Sequence, residues 1–521
     1  MDKIKLKPLL LLISVLFVFI SITSVINKSR TTDELAHLVS GYYYLTTGRN
    51  ILDIEQPVLR SVLSIPTILN NKLIAKQIPA HMNDNIFGDN LNTVLFMGRV
   101  INIFLTLFLS LIAFFIITKL TKSKIIGGVF LILSLFSPTL LAYSRFATPD
   151  VIGALTSFIA ILISYFYIKN PSTKNTVILG LTCAVAFLTK YTAIVPLIYI
   201  FLIIFSYSLL KRSKQNFINL LVLAFVFLFI INLAFVFRGT LDPIKDFQFK
   251  TKSTINLVNN TFIGNIPSPL PREVVRGLDF VKWHTQESHY NKPTYFMGQF
   301  YEQGSKLYFP VLFLVKTPGL ILILFFVSLI YLIKKIIGKN LSETEKFVIL
   351  TGLLPFIIYF IFVVFFNKLN LGVRHILLIY LCTYLIIGLF IHNIYQTNKK
   401  IFKFLSLSIL FYLVAINIQI YPHYLEYFNE FIGGPKNGYK YAIKSNLDWR
   451  QDANFIDEYK NKNNPNLLID PQCGTNFSEG QIVALRANKL FSIENGSECY
   501  PNYKNGKLVD RVTYVWFIYE F

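Results

Sequence analysis

The feature that most constrains this chain is an alternation of apolar runs, most of them about 20 residues long, with short turns in which Lys and Arg cluster. A helix of that length spans the ~30 Å of hydrocarbon in a bilayer, and lipid offers exposed backbone no partners, so such runs fold as a helical bundle. Nine runs read as one span each: 8–26, 94–118, 125–142, 151–168, 217–237, 309–333, 347–366, 376–394 and 404–420. The stretch 176–210 is too long for one span and reads as two short helices meeting at Lys190-Tyr191. Eleven spans are therefore predicted. With 54% hydrophobic and 15% charged residues, a soluble domain is excluded. The net charge of +22 does not point to nucleic acid, because the cations lie between apolar runs and not along one stripe.

Those cations set an expected orientation. Lys3, Lys5 and Lys7, then Lys119, Lys122 and Lys124, Lys169 and Lys174, Lys211, Arg212 and Lys214, Lys334, Lys335 and Lys339, and Lys399, Lys400 and Lys403 all fall on one side if the spans alternate. This predicts a multi-pass plasma-membrane protein with a cytoplasmic N-terminus. Residues 1–420 are then the transmembrane domain, with outer loops 27–93 and 238–308, and 421–521 form an extracytoplasmic domain. No small-residue cleavage site follows the first run, which ends in Val25-Ile26-Asn27-Lys28, so it is expected to stay as a helix. In the first loop Val58, Leu59, Val62, Leu63, Ile65 and Leu69 recur at roughly helical spacing, as in a helix lying in the interface. Cys183 and Cys382 fall in spans and read as free thiols. Cys473 and Cys499 fall in the outer domain, where oxidation is permitted, and a disulfide between them is predicted.

With this topology the chemistry-bearing side chains converge on the outer face. Asp33, Glu34 and His37 follow the first span directly; in a helix Asp33 and His37 share a face at i,i+4, and Glu34 meets His37 at i,i+3. Asp150, Lys190, Lys316, Arg374 and His375 also fall at outer ends of spans or in outer loops. Each has a plain local reading: Asp33 and Asp150 as helix caps, Lys190 and Lys316 as snorkelling lysines, Arg99 and Arg374 as partners of nearby acids. Gathered at one face, acids and cations suit chemistry on an amphiphile with an anionic head, such as a lipid phosphate carrying a sugar.

The order Asp33-Glu34-Leu35-Ala36-His37, Tyr42-Tyr43-Tyr44, Gly48-Arg49 and Glu55-Gln56-Pro57-Val58-Leu59 resembles the first-loop signature of the protein O-mannosyltransferase and aminoarabinose-transferase superfamily, GT-C glycosyltransferases that use polyprenyl-phosphate sugars. Further matches follow in order: Ser144 to Asp150, Leu188-Thr189-Lys190-Tyr191, Tyr308-Phe309-Pro310 with Lys316-Thr317-Pro318, Gly372-Val373-Arg374-His375, Tyr421 to Glu430, Gly433-Gly434-Pro435, and Ser445-Asn446-Leu447-Asp448-Trp449. The chain departs from the pattern at Gln56 and Val58, where the family often has His or Asn and Pro, and after His375, where the usual proline is missing.

The resemblance implies a polytopic α-helical GT-C fold with about eleven transmembrane helices, interfacial helices in the first outer loop and a small C-terminal α/β domain. It implies transfer of a sugar, with inversion, from a polyprenyl-phosphate donor to an acceptor hydroxyl of protein, lipid or envelope glycan. Asp33 is then the general base, with Glu34 and Asp150 positioning the acceptor or holding a cation. Arg374, Lys190 and Lys316 receive the donor phosphate, and His37, Arg49, Glu55 and His375 support them. Clustered carboxylates suit a hard divalent cation such as Mg or Mn, although no fixed ligand spacing demands one. An O-antigen ligase or polymerase would place its Arg and His in a large loop, which directs attention to Arg272, Arg276, His284 and His289. A transporter or flippase would put charges at the middle of its spans, which here are nearly charge-free.

Overall fold

The computed structural model describes residues 6–48, 50, 56–69, 87–287, 293–494 and 497–521. Lys3, Lys5, Arg49, Glu55 and His289 lie outside them. Among the described residues nine helical stretches are long and apolar enough to cross a membrane, or ten if one bent pair counts as a span. In chain order the helices of the first half are α1 (Leu6–Val25), α2 (Glu34–Thr47), α3 (Pro57–Leu69), α4 (Leu91–Thr121), α5 (Lys124–Phe136), α6 (Pro138–Ser144), α7 (Asp150–Lys169), α8 (Thr173–Thr189), α9 (Ile194–Lys211) and α10 (Lys214–Ala234). The bent pair is α5 and α6, which meet at 62°. Pro138 opens α6 and has no N–H to continue the ladder of α5.

The predicted count of eleven is not reached on these criteria. The difference lies at α8, whose 17 residues rise only ~25 Å. Even so, α8 carries the chain back to the end at which α7 began, because Lys190 just beyond it meets Asp150. Side-chain caps fix where helices restart after the basic turns: Ser123 accepts from Ile126 N, and Ser172 from Asn175 N. The expected interfacial helix of the first loop is α3, which packs its Leu59 and Leu63 face beside α2.

The second half adds α11 (Lys252–Asn260), α12 (Arg272–Gln286), the hairpin β1 (Thr294–Phe296) with β2 (Gln299–Tyr301), α13 (Tyr308–Lys316), α14 (Gly319–Ile337), α15 (Glu343–Val348), α16 (Leu354–Phe365), α17 (Leu377–Thr397) and α18 (Lys399–Ile420). Two spans lie at the centre, each with 83% of its apolar window buried: α7, and α17 together with the turn that leads into it. Both begin at the same end of the bundle, so the residues that open them are carried inside rather than left on the rim.

After α18 the chain runs without regular strands to α19 (Ala453–Asn463), and much of that run is buried against the bundle. A four-stranded sheet follows, in the order β3 (Leu468–Ile469), β4 (Ile482–Arg486), β8 (Trp516–Glu520), β7 (Lys507–Val512), with only β3 and β4 parallel. Ile456, Leu467, Ala484, Val515, Trp516 and Ile518 form its small core. Helix α20 (Ala487–Leu490) and the short pair β5 (Ile493–Glu494) and β6 (Ser497–Glu498) fill the connection from β4 to β7. The predicted Cys473–Cys499 disulfide is present, with Cα atoms 4.6 Å apart, and Cys183 and Cys382 are buried free thiols.

Candidate active site

Asp33 stands at the N-cap position of α2, yet its side chain makes no capping bond. Its Oδ2 accepts instead from Arg374 Nη1 at 2.5 Å, across 341 positions of sequence. Arg374 reaches that point through the turn before α17, where Gly372 has φ +123°, a conformation that glycine adopts readily and other residues avoid. A Cβ on Gly372 would also stand 3.0 Å from the Ser445 Cβ. The guanidinium lies over the Trp449 indole, 4.7 Å from its centre, and its Nη1 comes within 3.9 Å of Asp150 Oδ2.

Asp150 is the first residue of α7, and its Oδ1 accepts from Lys190 Nζ at 2.5 Å. Lys190 sits where α8 breaks into the 3-10 turn Tyr191–Ala193, an irregularity that aims its side chain across α7. Gly153, one turn into α7, makes room: a Cβ there would lie 3.0 Å from the Lys190 Cβ. Asp33, Arg374, Asp150 and Lys190 therefore form a chain of alternating charge. Two of its atoms, Asp150 Oδ2 and Arg374 Nε, have no hydrogen-bond partner among the described residues. Burial separates the two acids, since the Asp150 side chain is 3% exposed and that of Asp33 31%.

A narrow cleft lies beside this chain. Asp150, Lys190, Thr192, Tyr359, Arg374 and His375 make its polar wall, and Gly153, Ala154, Ser157, Pro196, Leu377 and Leu378 continue it along α7, α9 and α17. One surface thus passes from charged side chains to mostly apolar ones.

Glu34 points elsewhere, because successive residues of a helix diverge by about 100°. Arg99 grips both its oxygens, Nε on Oε1 at 2.7 Å and Nη2 on Oε2 at 2.8 Å, while Thr31 N and Ala147 N donate at 2.8 and 2.9 Å. Burial alone would raise its pKa, but the Arg99 charge and these hydrogen bonds hold it below the usual carboxylate value. Lys316 is also taken up: Nζ donates to the carbonyls of Leu425, Tyr427 and Asn446 at 2.7, 2.7 and 2.6 Å, over the Phe428 ring. It does not line the cleft. His37 is buried in α2, with its backbone N donating to Asp33 O. His375 lines the cleft, and its carbonyl accepts from Tyr359 Oη at 3.0 Å. Of the loop residues that a ligase would use, Arg272 forms a surface pair with Asp242 and His284 lies beside Phe280; neither these nor Arg276 line the cleft.

Sequence reasoning missed a second charged group. Lys28 Nζ sits against Asp452 Oδ1, 2.8 Å from His423 Nδ1 and 3.2 Å from Glu426 Oε1. Burial and the Lys28 charge press the His423 pKa down, but its bonds to Asp452 and Glu426 prevail and raise it. Among the described residues, His423, Glu426 and Asp452 are the group whose ligand atoms gather closely enough for a metal, and the Lys28 ammonium stands in their midst. Asp33, Glu34 and Asp150 form no such group, and each faces an Arg or Lys. The acids of this site therefore do not fit a Mg or Mn ion held in common.

Residues 83–235 match the profile of the dolichyl-phosphate-mannose-protein mannosyltransferase family. That stretch carries Asp150 and Lys190, and the resemblance drawn from the ordered motifs is shown there. Among solved structures the chain is similar to ArnT from Cupriavidus metallidurans, determined with undecaprenyl phosphate: 12% identity and TM-score 0.45 over 73% of this chain and 60% of that one. It is also similar to the oligosaccharyltransferase AglB from Archaeoglobus fulgidus, determined with an inhibitory peptide and a dolichol-phosphate: 13% identity and TM-score 0.47 over 80% and 55% of the two chains. This chain thus spans about 60% of the length of ArnT and about 55% of that of AglB. Both are GT-C glycosyltransferases. No curated protein matches the sequence.

Proposed function

We propose that this multi-pass membrane protein transfers a sugar from a polyprenyl-phosphate donor to an acceptor hydroxyl on the extracytoplasmic side, with inversion at the anomeric carbon. The observation that supports this best is the cleft beside Arg374 and Lys190, polar where a phosphate would sit and apolar where an isoprenoid tail would continue. Arg374 and Lys190 balance Asp33 and Asp150, and the unfilled Arg374 Nε can donate to a phosphate oxygen without breaking an existing bond.

In this reading the acceptor oxygen attacks the anomeric carbon from the face opposite the phosphate. The bond from carbon to phosphate oxygen breaks, and the lipid phosphate leaves with the electron pair, its charge met by Arg374 and Lys190. The acceptor proton passes to Asp33, the more exposed acid of the pair and the one an incoming hydroxyl can reach. Asp150 stays with Lys190 and fixes it. Glu34 and Lys316 serve the framework, joining the first loop to α4 and α13 to the late chain. His375 supports the donor from the cleft wall, and any contribution of Arg49 or Glu55 comes from outside the described residues.

The division into a membrane domain of 1–420 and an outer domain of 421–521 belongs to the same reading, with residues 421–452 packed on the site. The test is transfer of label from polyprenyl-phosphate sugars to membrane extract by the purified full-length protein in liposomes. Transfer by the wild type and not by Asp33→Asn supports the proposal; equal transfer by both defeats the assignment of the base. A reporter fused after Tyr421 is expected to be active on the outer side only, and cytoplasmic activity there defeats the orientation.

A further inference from the structure

Trp449 touches Arg374 and the residue just before Asp33, its partner at the centre of the site. Its ring carries the Arg374 guanidinium, and its carbonyl accepts from Thr32 N at 3.1 Å, one residue before Asp33. The residue is 4% exposed and wedged by Tyr143 and Phe146, whose ring centres lie 5.9 and 6.0 Å away. Its own N–H is held by Gln451 Oε1 at 2.7 Å. Around it the stretch Ser445 to Gln451 is fastened to the bundle at several points. Asn446 Oδ1 accepts from Val373 N at 2.8 Å, directly beside Arg374, and Asn446 Nδ2 donates to Tyr308 Oη at 3.0 Å. Tyr143 Oη donates to the Ser445 carbonyl, and Ser29 N donates to the Gln451 carbonyl.

We infer that Trp449 is a positioning residue for the donor phosphate. It holds the plane of Arg374 so that Nη1 meets Asp33 while Nε stays open to the cleft. The argument is geometric. A guanidinium stacked on an indole keeps its edge donors in one plane, whereas Arg374 without that face could swing its fork toward Asp150, 3.9 Å away and already short of a partner. The backbone contact to Thr32 fixes the other member of the pair, so a single residue from the late chain sets the distance between the proposed base and the proposed phosphate cation. This rests on the reading of the cleft as the donor site.

The experiment is binding of undecaprenyl phosphate and dolichyl phosphate to the full-length protein in nanodiscs, for the wild type, Arg374→Ala, Trp449→Phe and Trp449→Leu, with a melting profile for each. Trp449→Leu is expected to weaken lipid-phosphate binding about threefold to tenfold, the worth of a partly desolvated cation on a ring, and Trp449→Phe to restore most of the loss. Backbone contacts survive in both variants, so a purely structural role would not separate Phe from Leu at equal melting temperature. If Arg374→Ala weakens binding while Trp449→Leu binds as the wild type does, the positioning role is overturned and the donor site stands. If the wild type and Arg374→Ala bind alike, the donor site itself is wrong. If Trp449→Leu is unfolded, the comparison of Trp449→Phe with Trp449→Met decides: equal affinity with and without the ring overturns the inference.

Discussion

Two four-membered charge clusters lie at the same end of this bundle, and they are built to opposite purposes. Lys28, His423, Glu426 and Asp452 surround one buried ammonium, and the side chains of Lys28, Glu426 and Asp452 are 0% exposed. Asp33, Arg374, Asp150 and Lys190 are strung in a line along a cleft, with one acid partly open and two polar atoms unfilled. Equal numbers of acids and bases therefore do not mean equal function. The first cluster wraps a buried ammonium and acts as a clasp between α1 and the chain beyond α18. The second borders a cleft and leaves one acid partly open, so a charged group stays within reach of a substrate.

The largest effect should come from opening the clasp. Lys28→Met leaves Glu426 and Asp452 buried without their cation, and about 3–5 kcal/mol of stability should be lost. A denaturation series in detergent measures it, and a variant as stable as the wild type would mean that the clasp carries no weight. Next in size is Asp33→Asn, which keeps shape but removes the proton acceptor: turnover at saturating donor should fall by roughly 10²-fold or more while donor affinity stays near that of the wild type. Near wild-type turnover would move the role of base to Asp150. Gly372→Ala should cost about 1–3 kcal/mol, because φ +123° is strained for alanine and its Cβ meets Ser445. The same variant should weaken lipid-phosphate binding through Arg374, and an unchanged affinity would detach that turn from the site.

Those residues also show what the chain made readable. Asp150, Lys190 and Arg374 could be placed together because each ends a span, and the parity of the spans puts such ends on one face. The fate of Glu34 was half visible, since pairing of Arg99 with a nearby acid was expected without saying which. Neighbours in a helix diverge, and the grip of Arg99 from α4 on Glu34 leaves Asp33 as the one that meets Arg374. Lys316 stood in the right motif, but its partners are backbone carbonyls more than 100 positions away, which no side-chain pattern records. Trp449 lay in a recognised stretch without a role, because a ring that supports a cation leaves no periodic signature. The eleventh span is not confirmed, because the 17 residues of α8 lie at the short end of the range for a crossing.

The smallest effect is one of pH. The folded-state pKa of His423 is raised, so its contribution is fully present below the unfolded value of about 6.5 and is lost as pH rises through the folded value. Wild-type melting temperature should therefore fall more between about pH 6 and pH 8.5 than that of His423→Gln. Parallel curves would show that His423 does not titrate with folding. Asp33→Asn should leave the difference between those curves untouched, since the two clusters do not share a residue.

The support of Arg374 by Trp449 has a consequence for how the enzyme comes into being. Ribosomes make Asp33 early and Arg374 late, but the face on which the guanidinium rests is made later still, after the last membrane helix has been threaded. A partly synthesised chain already inserted in the bilayer thus holds both members of the charge pair without the surface that orients them. If the cleft binds a lipid phosphate as proposed, that binding should appear only near completion of the chain.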